Sequence, residues 1–335
     1  MSGRARTRRG MGGPFGSDVT DVARQTGLGC GRFLAVGACP GCGSTACRAT
    51  GPVVEGSVTF AGGRGYSQPP YAVRECAACG LLYKDNTASP AELEAYYAAA
   101  DFRKWETPGH FPTERAVLAV LRGLPRGSRI LDFGCSSGRL LAPLTRDYRC
   151  HGFEVNAPAA AEAAAKGIAM APADFLERVP PGTFDALVLV DVFEHLSAPT
   201  ILLRKLCAAL TPGGLLLIVT GNGDAVACRL EPAQFWYFRN IEHLCMLTRR
   251  SAEYLARVPG ARLERWQEVS HYDLSLPTRL KREAQHFSYW QFRRRTFAAR
   301  TILPLLPLFR RAAHWPIAPA YDVSRDHVLL GLRRA

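Results

Sequence analysis

Three acids in this chain of 335 residues stand where short apolar runs end. Asp132 closes Ile130-Leu131 and opens Phe133-Gly134-Cys135-Ser136-Ser137-Gly138, Glu154 follows the run from Cys150, and Asp174 follows Ile168 to Ala171 beside Phe175. Gly134 and Gly138 permit a tight turn and close backbone approach, which a ligand lying over strand ends requires. The spacing is not G-x-G-x-x-G and no G-K-[ST] occurs, so a pyrophosphate is not the indicated ligand. Asp132 suits an ammonium group. Glu154 can accept both hydroxyl protons of a ribose, and Asp174 can take an adenine amino proton while the Phe175 ring packs nearby. Acids at three successive strand ends converge on one crevice, and that convergence is more specific than any one of them.

Two histidines are placed to move a proton. His195 ends Asp191-Val192-Phe193-Glu194-His195, after the apolar run Phe184 to Val190, and His243 lies in the aromatic stretch Phe235 to Leu244. Each reads equally as a base near neutral pH or as a residue that hydrogen-bonds its own loop, with His243 the favoured base. The aromatics around His243 are expected to form an apolar lid that excludes water. Cys39-Pro40-Gly41-Cys42 and Cys76-Ala77-Ala78-Cys79 are two C-x-x-C knuckles with 33 residues between them. They offer four thiolates in the usual arrangement of a structural zinc, and four protein ligands leave no open position for chemistry. The remaining cysteines read as scattered small apolar residues.

The elements that must hold these groups follow from periodicity. Residues 1–30 are a Gly- and Arg-rich tail, expected to be disordered, and residues 31–88 a small zinc-binding β module. A helix starting at Ser89-Pro90-Ala91-Glu92 spans the connection 89–112. From 113 to 335 helix and strand alternate: strands at Arg129–Phe133, Cys150–Val155, Phe184–Val190 and Gly214–Thr220, helices at Leu140–Tyr148, Ala157–Lys166 and Pro199–Leu210. Arg262–Val269 and His327–Leu332 close the sheet. Such alternation predicts an α/β fold, a doubly wound, mostly parallel seven-stranded sheet covered on both faces.

At these motifs the chain resembles the class I S-adenosylmethionine-dependent methyltransferases, over roughly residues 113–270. The resemblance rests on Leu131 to Gly138, on Glu154, on Phe184 to Leu196 and on Leu210-Thr211-Pro212-Gly213-Gly214. It implies S-adenosylmethionine as cofactor, with contacts from Asp132, Gly134, Cys135, Gly138, Glu154, Asp174, Phe175 and Asp191, and an acceptor side carrying Glu194, His195 and His243. Methyl transfer from a sulfonium is an in-line displacement, so the protein aligns the acceptor and removes its proton. The Asp/Asn-Pro-Pro-aromatic loop of nucleobase amino methylation is missing after Val190, which favours oxygen or carbon acceptors. Cys76 to Tyr83 followed by Ser89 to Tyr97 resembles the zinc-ribbon start of bacterial methyltransferases of polysaccharide and secondary-metabolite clusters, and distantly that of sugar C-methyltransferases. This implies a small-molecule acceptor: a sugar, a nucleotide sugar or a natural-product intermediate. Tyr96 or Tyr97 either reaches that acceptor or packs the helix.

Composition bounds the rest. The chain is 47% hydrophobic and 21% charged, with a net charge of +13. The charge is concentrated in the four arginines of residues 1–17 and the nine basic residues of 275–315, which face Glu283 alone. The second segment, 278–318, interleaves its arginines with aromatics. It reads as a solvated cover, as an interfacial element for an anionic membrane surface, or as a surface for a phosphate-bearing substrate or RNA. A nucleic-acid partner is not favoured, although an RNA methyltransferase, like a non-catalytic binding protein on this fold, stays as a rival. No apolar run reaches the roughly 18 residues needed to cross a bilayer, and no signal-peptide pattern follows the N-terminal arginines. The expectation is a cytoplasmic protein, with peripheral membrane contact open.

Overall fold

A computed structural model describes residues 33–106, 108–315, 318–319 and 325–335. The N-terminal tail and Cys30 lie outside the described residues.

The seven-stranded sheet at the centre is numbered here in chain order: β1 Arg129–Phe133, β2 Arg149–Phe153, β3 Ala169–Met170, β4 Phe184–Val190, β5 Leu210–Gly221, β6 Ala261–Val269 and β7 His327–Arg334. Their spatial order is β3-β2-β1-β4-β5-β7-β6. The first five run parallel, and β7 pairs antiparallel with both β5 and β6. The strand alternation of period two sorts the core into two layers. Leu187, Leu189, Leu216 and Ile218 face Leu203, Leu206 and Leu255. Ala186, Val188, Leu215 and Leu217 face Val117, Leu118, Leu121 and Leu141. A sheet apolar on both faces has to be covered on both, which is the layered α/β arrangement the sequence predicts.

Helix starts follow local chemistry. In α1, Pro90–Ala99, the Ser89 side chain accepts from the Glu92 amide at 3.3 Å and Pro90 takes the first position, where no N–H is needed. In α2, Pro112–Leu121, Glu114 reaches back to the Phe111 amide at 2.7 Å. Asn156 caps α3, Ala157–Ala165. One expectation fails: Leu140–Tyr148 is not an α-helix but turns around a short 3-10 segment, Ala142–Leu144. Pro143 lacks the amide that an α-helix would use there, and its ring clashes with the carbonyl four residues earlier.

The cysteine knuckles belong to a four-stranded sheet made of residues 245–246, 82–84, 73–76 and 47–49, in that spatial order. Its edge strand Cys245–Met246 comes from beyond β5 and pairs with Leu82 and Tyr83. The N-terminal sheet is therefore joined by backbone hydrogen bonds to the loop that carries His243. Tyr71 Oη donates to the carbonyls of Ala233 and Phe238, and Thr248 Oγ1 donates to the Gly80 carbonyl. The aromatics Phe235, Tyr237 and Phe238 are buried with Tyr71, Val73, Leu82 and Met246. They pack inward and do not form the expected lid, because the module's sheet offers the nearest apolar surface to bury.

Candidate functional site

The carboxyl edge of the parallel strands collects the acids. Asp132 is 3% exposed and its Oδ1 has no hydrogen-bond partner. Burial, with Glu114 and Glu154 adding to it, pushes its carboxyl up to about 8. After β1 the chain turns through Gly134 at φ 84° and Gly138 at φ 75°. A methyl group at Gly134 would lie 2.6 Å from Val192 Cγ2, and one at Gly138 would lie 2.4 Å from Ile168 Cδ1. Only glycine lets this loop keep its left-handed turns and lie against the neighbouring strand ends. Glu154 then braces the loop, since its two carboxylate oxygens accept the Ser136 amide at 2.9 Å and the Asn156 amide at 2.8 Å. Each oxygen retains a lone pair for a further donor.

Not every residue of the proposed set turns to the crevice. Asp174 is ion-paired with Arg178 at 2.7 Å, and Phe175 is buried beside Phe133 and Phe153. The Cys135 sulfur packs over Gly152, where a Cβ would come within 2.7 Å of it. The orphaned, buried Asp132 oxygen, the glycine cradle and the braced Glu154 fit the ammonium, backbone and ribose of S-adenosylmethionine as a donor and acceptor set.

On the other side of the same edge lies a continuous polar chain. Glu194 is fully buried, and its carboxylate accepts from Thr220 Oγ1 at 2.8 Å and from Tyr237 Oη. His195 Nε2 is 3.7 Å from Glu194, and its Nδ1 lies 2.7 Å from Tyr97 Oη. Burial raises the Tyr97 phenol, so its proton stays on, and the same His195 Nδ1 lies 3.2 Å from the Glu242 carbonyl. His243 is stacked edge-on to His195 with ring centroids 4.9 Å apart, and its Nδ1 donates to the Tyr237 carbonyl at 2.7 Å. Burial drives the His243 pKa well below its ordinary value, with the neighbouring His195 adding to it. Tyr237 itself reaches this position because Gly221, at the end of β5, leaves room for its ring: a Cβ there would sit 2.5 Å from it. Of the two tyrosines singled out in the sequence, Tyr97 reaches His195, whereas Tyr96 packs against Tyr66.

Sequence reasoning missed His271, Asp326 and His327. Asp191 Oδ1 is 3.7 Å from His327 Nε2, and Tyr237 Oη lies 3.3 Å from the same oxygen. The available signal was positional: Asp326-His327 begins a closing strand and His271 ends the one beside it.

The four knuckle sulfurs come together among buried residues. Cys39 and Cys79 are 3.5 Å apart, as are Cys42 and Cys76, and all four lie within 4.8 Å of one another. Sulfurs about 2.3 Å from one tetrahedral ion would be roughly 3.8 Å apart. The set therefore fits a zinc ion.

Residues 102–263 match the family described as a methyltransferase domain. Over 117 residues the chain is 35% identical to the ubiquinone biosynthesis O-methyltransferase of Caulobacter sp. (strain K31), an alignment covering 31% of this chain and 45% of that protein. The corresponding protein of Xanthomonas axonopodis pv. citri (strain 306) is 27% identical over 169 residues, covering 44% of this chain and 67% of that one. The chain thus spans about half the length of the Caulobacter relatives it matches. An S-adenosylmethionine-dependent methyltransferase from Mesorhizobium loti superposes with a TM-score of 0.42 at 18% identity, over 66% of this chain and 98% of that one. Family match, strand order and strand-end glycine loop agree: residues 102–263 are a methyltransferase domain of the class I, S-adenosylmethionine-dependent type.

Proposed function

We propose that the chain transfers a methyl group from S-adenosylmethionine to an oxygen of a small-molecule acceptor, with His195 as the base. The observation that carries this reading is the placing of the Asp132, Gly134, Gly138 and Glu154 set and the Tyr97, His195 and Glu194 chain on one strand edge. When bound, S-adenosylmethionine supplies an electrophilic methyl on a sulfonium. Glu154 accepts the ribose hydroxyls and Asp132 faces the ammonium group. His195 is half-buried, open enough to meet an acceptor hydroxyl and take its proton. Tyr97 and Glu194 fix its ring, and Glu194 stabilises the imidazolium that forms. His243 acts as a positioning residue: buried and held neutral, it is a poor proton acceptor but a firm wall behind His195.

The relatives are named as O-methyltransferases, which favours oxygen over carbon. A sugar, a nucleotide sugar or a phenolic intermediate each presents such a hydroxyl. Cys39, Cys42, Cys76 and Cys79 hold a structural zinc that stiffens the sheet under the His243 loop. A radiolabelled methyl transfer assay against phenolic and sugar-nucleotide acceptors tests the reading. His195→Ala is expected to lower kcat by about 10²- to 10⁴-fold and to erase the low-pH limb of the pH profile. His243→Ala is expected to raise KM and to retain that limb. An unchanged rate in His195→Ala removes the base assignment.

A further inference from the structure

The sheet's closing strands bring a second set of donors to the same edge. Because β7 runs antiparallel, its first residue, His327, pairs with Gly221 at the end of β5 and with Val269 at the end of β6. That registers His327 with His271, two residues beyond β6, and with Asp191, one residue beyond β4. We infer that Asp191, His271 and His327 bind a divalent transition-metal ion beside the acceptor side of the crevice.

Five observations support the site. One donor atom from each residue lies within 4.8 Å of the others, so side-chain rotations of about an ångström bring all three to the roughly 2.1 Å of a metal bond. His327 Nδ1 lies 3.1 Å from Asp326 Oδ1, the carboxylate–imidazole pairing that fixes a metal ligand's tautomer and leaves Nε2 facing the ion. The same Asp326 oxygen accepts the His271 amide at 3.1 Å, so one carboxylate orients both histidines. His271 is 9% exposed, clamped between the Phe111 and His327 rings, yet its Nδ1 has no partner. Asp191 holds φ at 51°, a left-handed conformation that a non-glycine residue adopts at a cost and that turns up at functional sites.

The neighbouring group of Glu194, His195 and His243 is a poorer host. Both Glu194 oxygens are taken by Thr220 and Tyr237, and the single Tyr237 proton goes to Glu194, which leaves Asp191 free to ligate. Two imidazoles and one carboxylate suit Mn²⁺, Fe²⁺, Co²⁺ or Zn²⁺ better than Mg²⁺ or Ca²⁺, and three protein ligands leave positions open. An acceptor hydroxyl at such a position would lose its proton more readily. That role rests on the methyl-transfer reading, but the binding of the ion does not.

The test is titration of the zinc-loaded full chain with Co²⁺, followed by visible absorption and metal content. The expected result is one further Co²⁺ per chain, with bands of nitrogen and oxygen ligation and no thiolate charge transfer. His271→Ala and His327→Gln should each weaken Co²⁺ binding at least about tenfold without displacing the zinc. S-adenosylhomocysteine binding by each variant reports that it is folded, and His271→Ala, on a loop, carries the test should His327→Gln fail to fold. No Co²⁺ uptake by the folded wild type overturns the site. Loss of uptake in His195→Ala with none in His271→Ala also overturns it, because the ion then sits at the neighbouring group. Failure of the wild type to bind S-adenosylhomocysteine would instead strike the methyltransferase reading, whatever the cobalt shows.

Discussion

Asp132 carries an energetic cost in the protein without ligand. Its carboxyl is raised to about 8 in the folded chain, while an unfolded aspartate titrates near 3.9. Between those values the folded chain keeps a proton that the unfolded chain has lost, so this group's contribution to stability falls as pH rises from about 4 to about 8. Asp132→Asn cannot ionise and should melt on the order of 10 °C above the wild type at pH 8, the gap closing toward pH 4. Thermal melts of both proteins across pH check this, and a gap that widens in acid would contradict it. The same variant should bind S-adenosylhomocysteine more weakly, since an amide cannot give up a proton and become the carboxylate that pairs with the incoming ammonium. At this scale the acids, the glycines and the cysteine pairs were legible because each sits in a local pattern. His271 and His327 were not, because what unites them with Asp191 is strand direction, which no local spacing records.

The elements show how one part of the chain supports another. Cys245–Met246 completes the sheet beside the cysteine knuckles and directly follows His243 and Leu244, whose amide donates to the Glu194 carbonyl at 2.7 Å. Lys84 is buried in the same seam, with its ammonium donating to the Asn240 carbonyl at 2.6 Å, and burial lowers its pKa to about 7. Loss of a metal ion held by these four cysteines, as proposed above, should therefore loosen the acceptor side before the cofactor side. Cys76→Ser is expected to purify without zinc and to melt lower, with turnover reduced more than about tenfold and S-adenosylhomocysteine affinity within about threefold of wild type. Metal analysis, melting and titration on one sample check all three, and a proportionate loss of both affinities would contradict the seam. Strand and helix order were legible here from apolar runs and caps such as Ser89-Pro90. The pairing of residues 245–246 with 82–83 was not, since two residues carry too little pattern to mark a strand. Pro143 was visible in the sequence, and it outweighs the apolar spacing of Leu140 to Tyr148.

At the scale of the whole molecule, the second of the two basic segments forms a cover of arginines and apolar side chains. Helix α4, Leu276–Arg293, buries His286, Ser288, Tyr289 and Trp290 and turns Leu276, Leu280 and Phe287 outward. Phe297, Ile302, Leu305 and Leu306 continue the exposed apolar set, and Arg279, Lys281, Arg293, Arg294, Arg295 and Arg300 flank it. Among the described residues no helix is long and apolar enough to cross a membrane. Apolar side chains beside arginines are the pattern of an element lying at an anionic lipid surface. Sedimentation with phosphatidylglycerol vesicles should retain the protein at low salt and release it at high salt, and phosphatidylcholine vesicles should not retain it. Equal retention by both lipids, or by neither, would contradict the interfacial reading.

Every role given to the strand-edge acids depends on cofactor binding, and calorimetric titration of the full chain with S-adenosylhomocysteine measures that binding. Saturable one-to-one binding, weakened at least about tenfold in Glu154→Ala (two hydroxyl hydrogen bonds lost to a charged acceptor), is the result this account predicts. A folded, zinc-loaded wild type that gives no heat of binding, or a Glu154→Ala variant that binds as tightly as wild type, would contradict it.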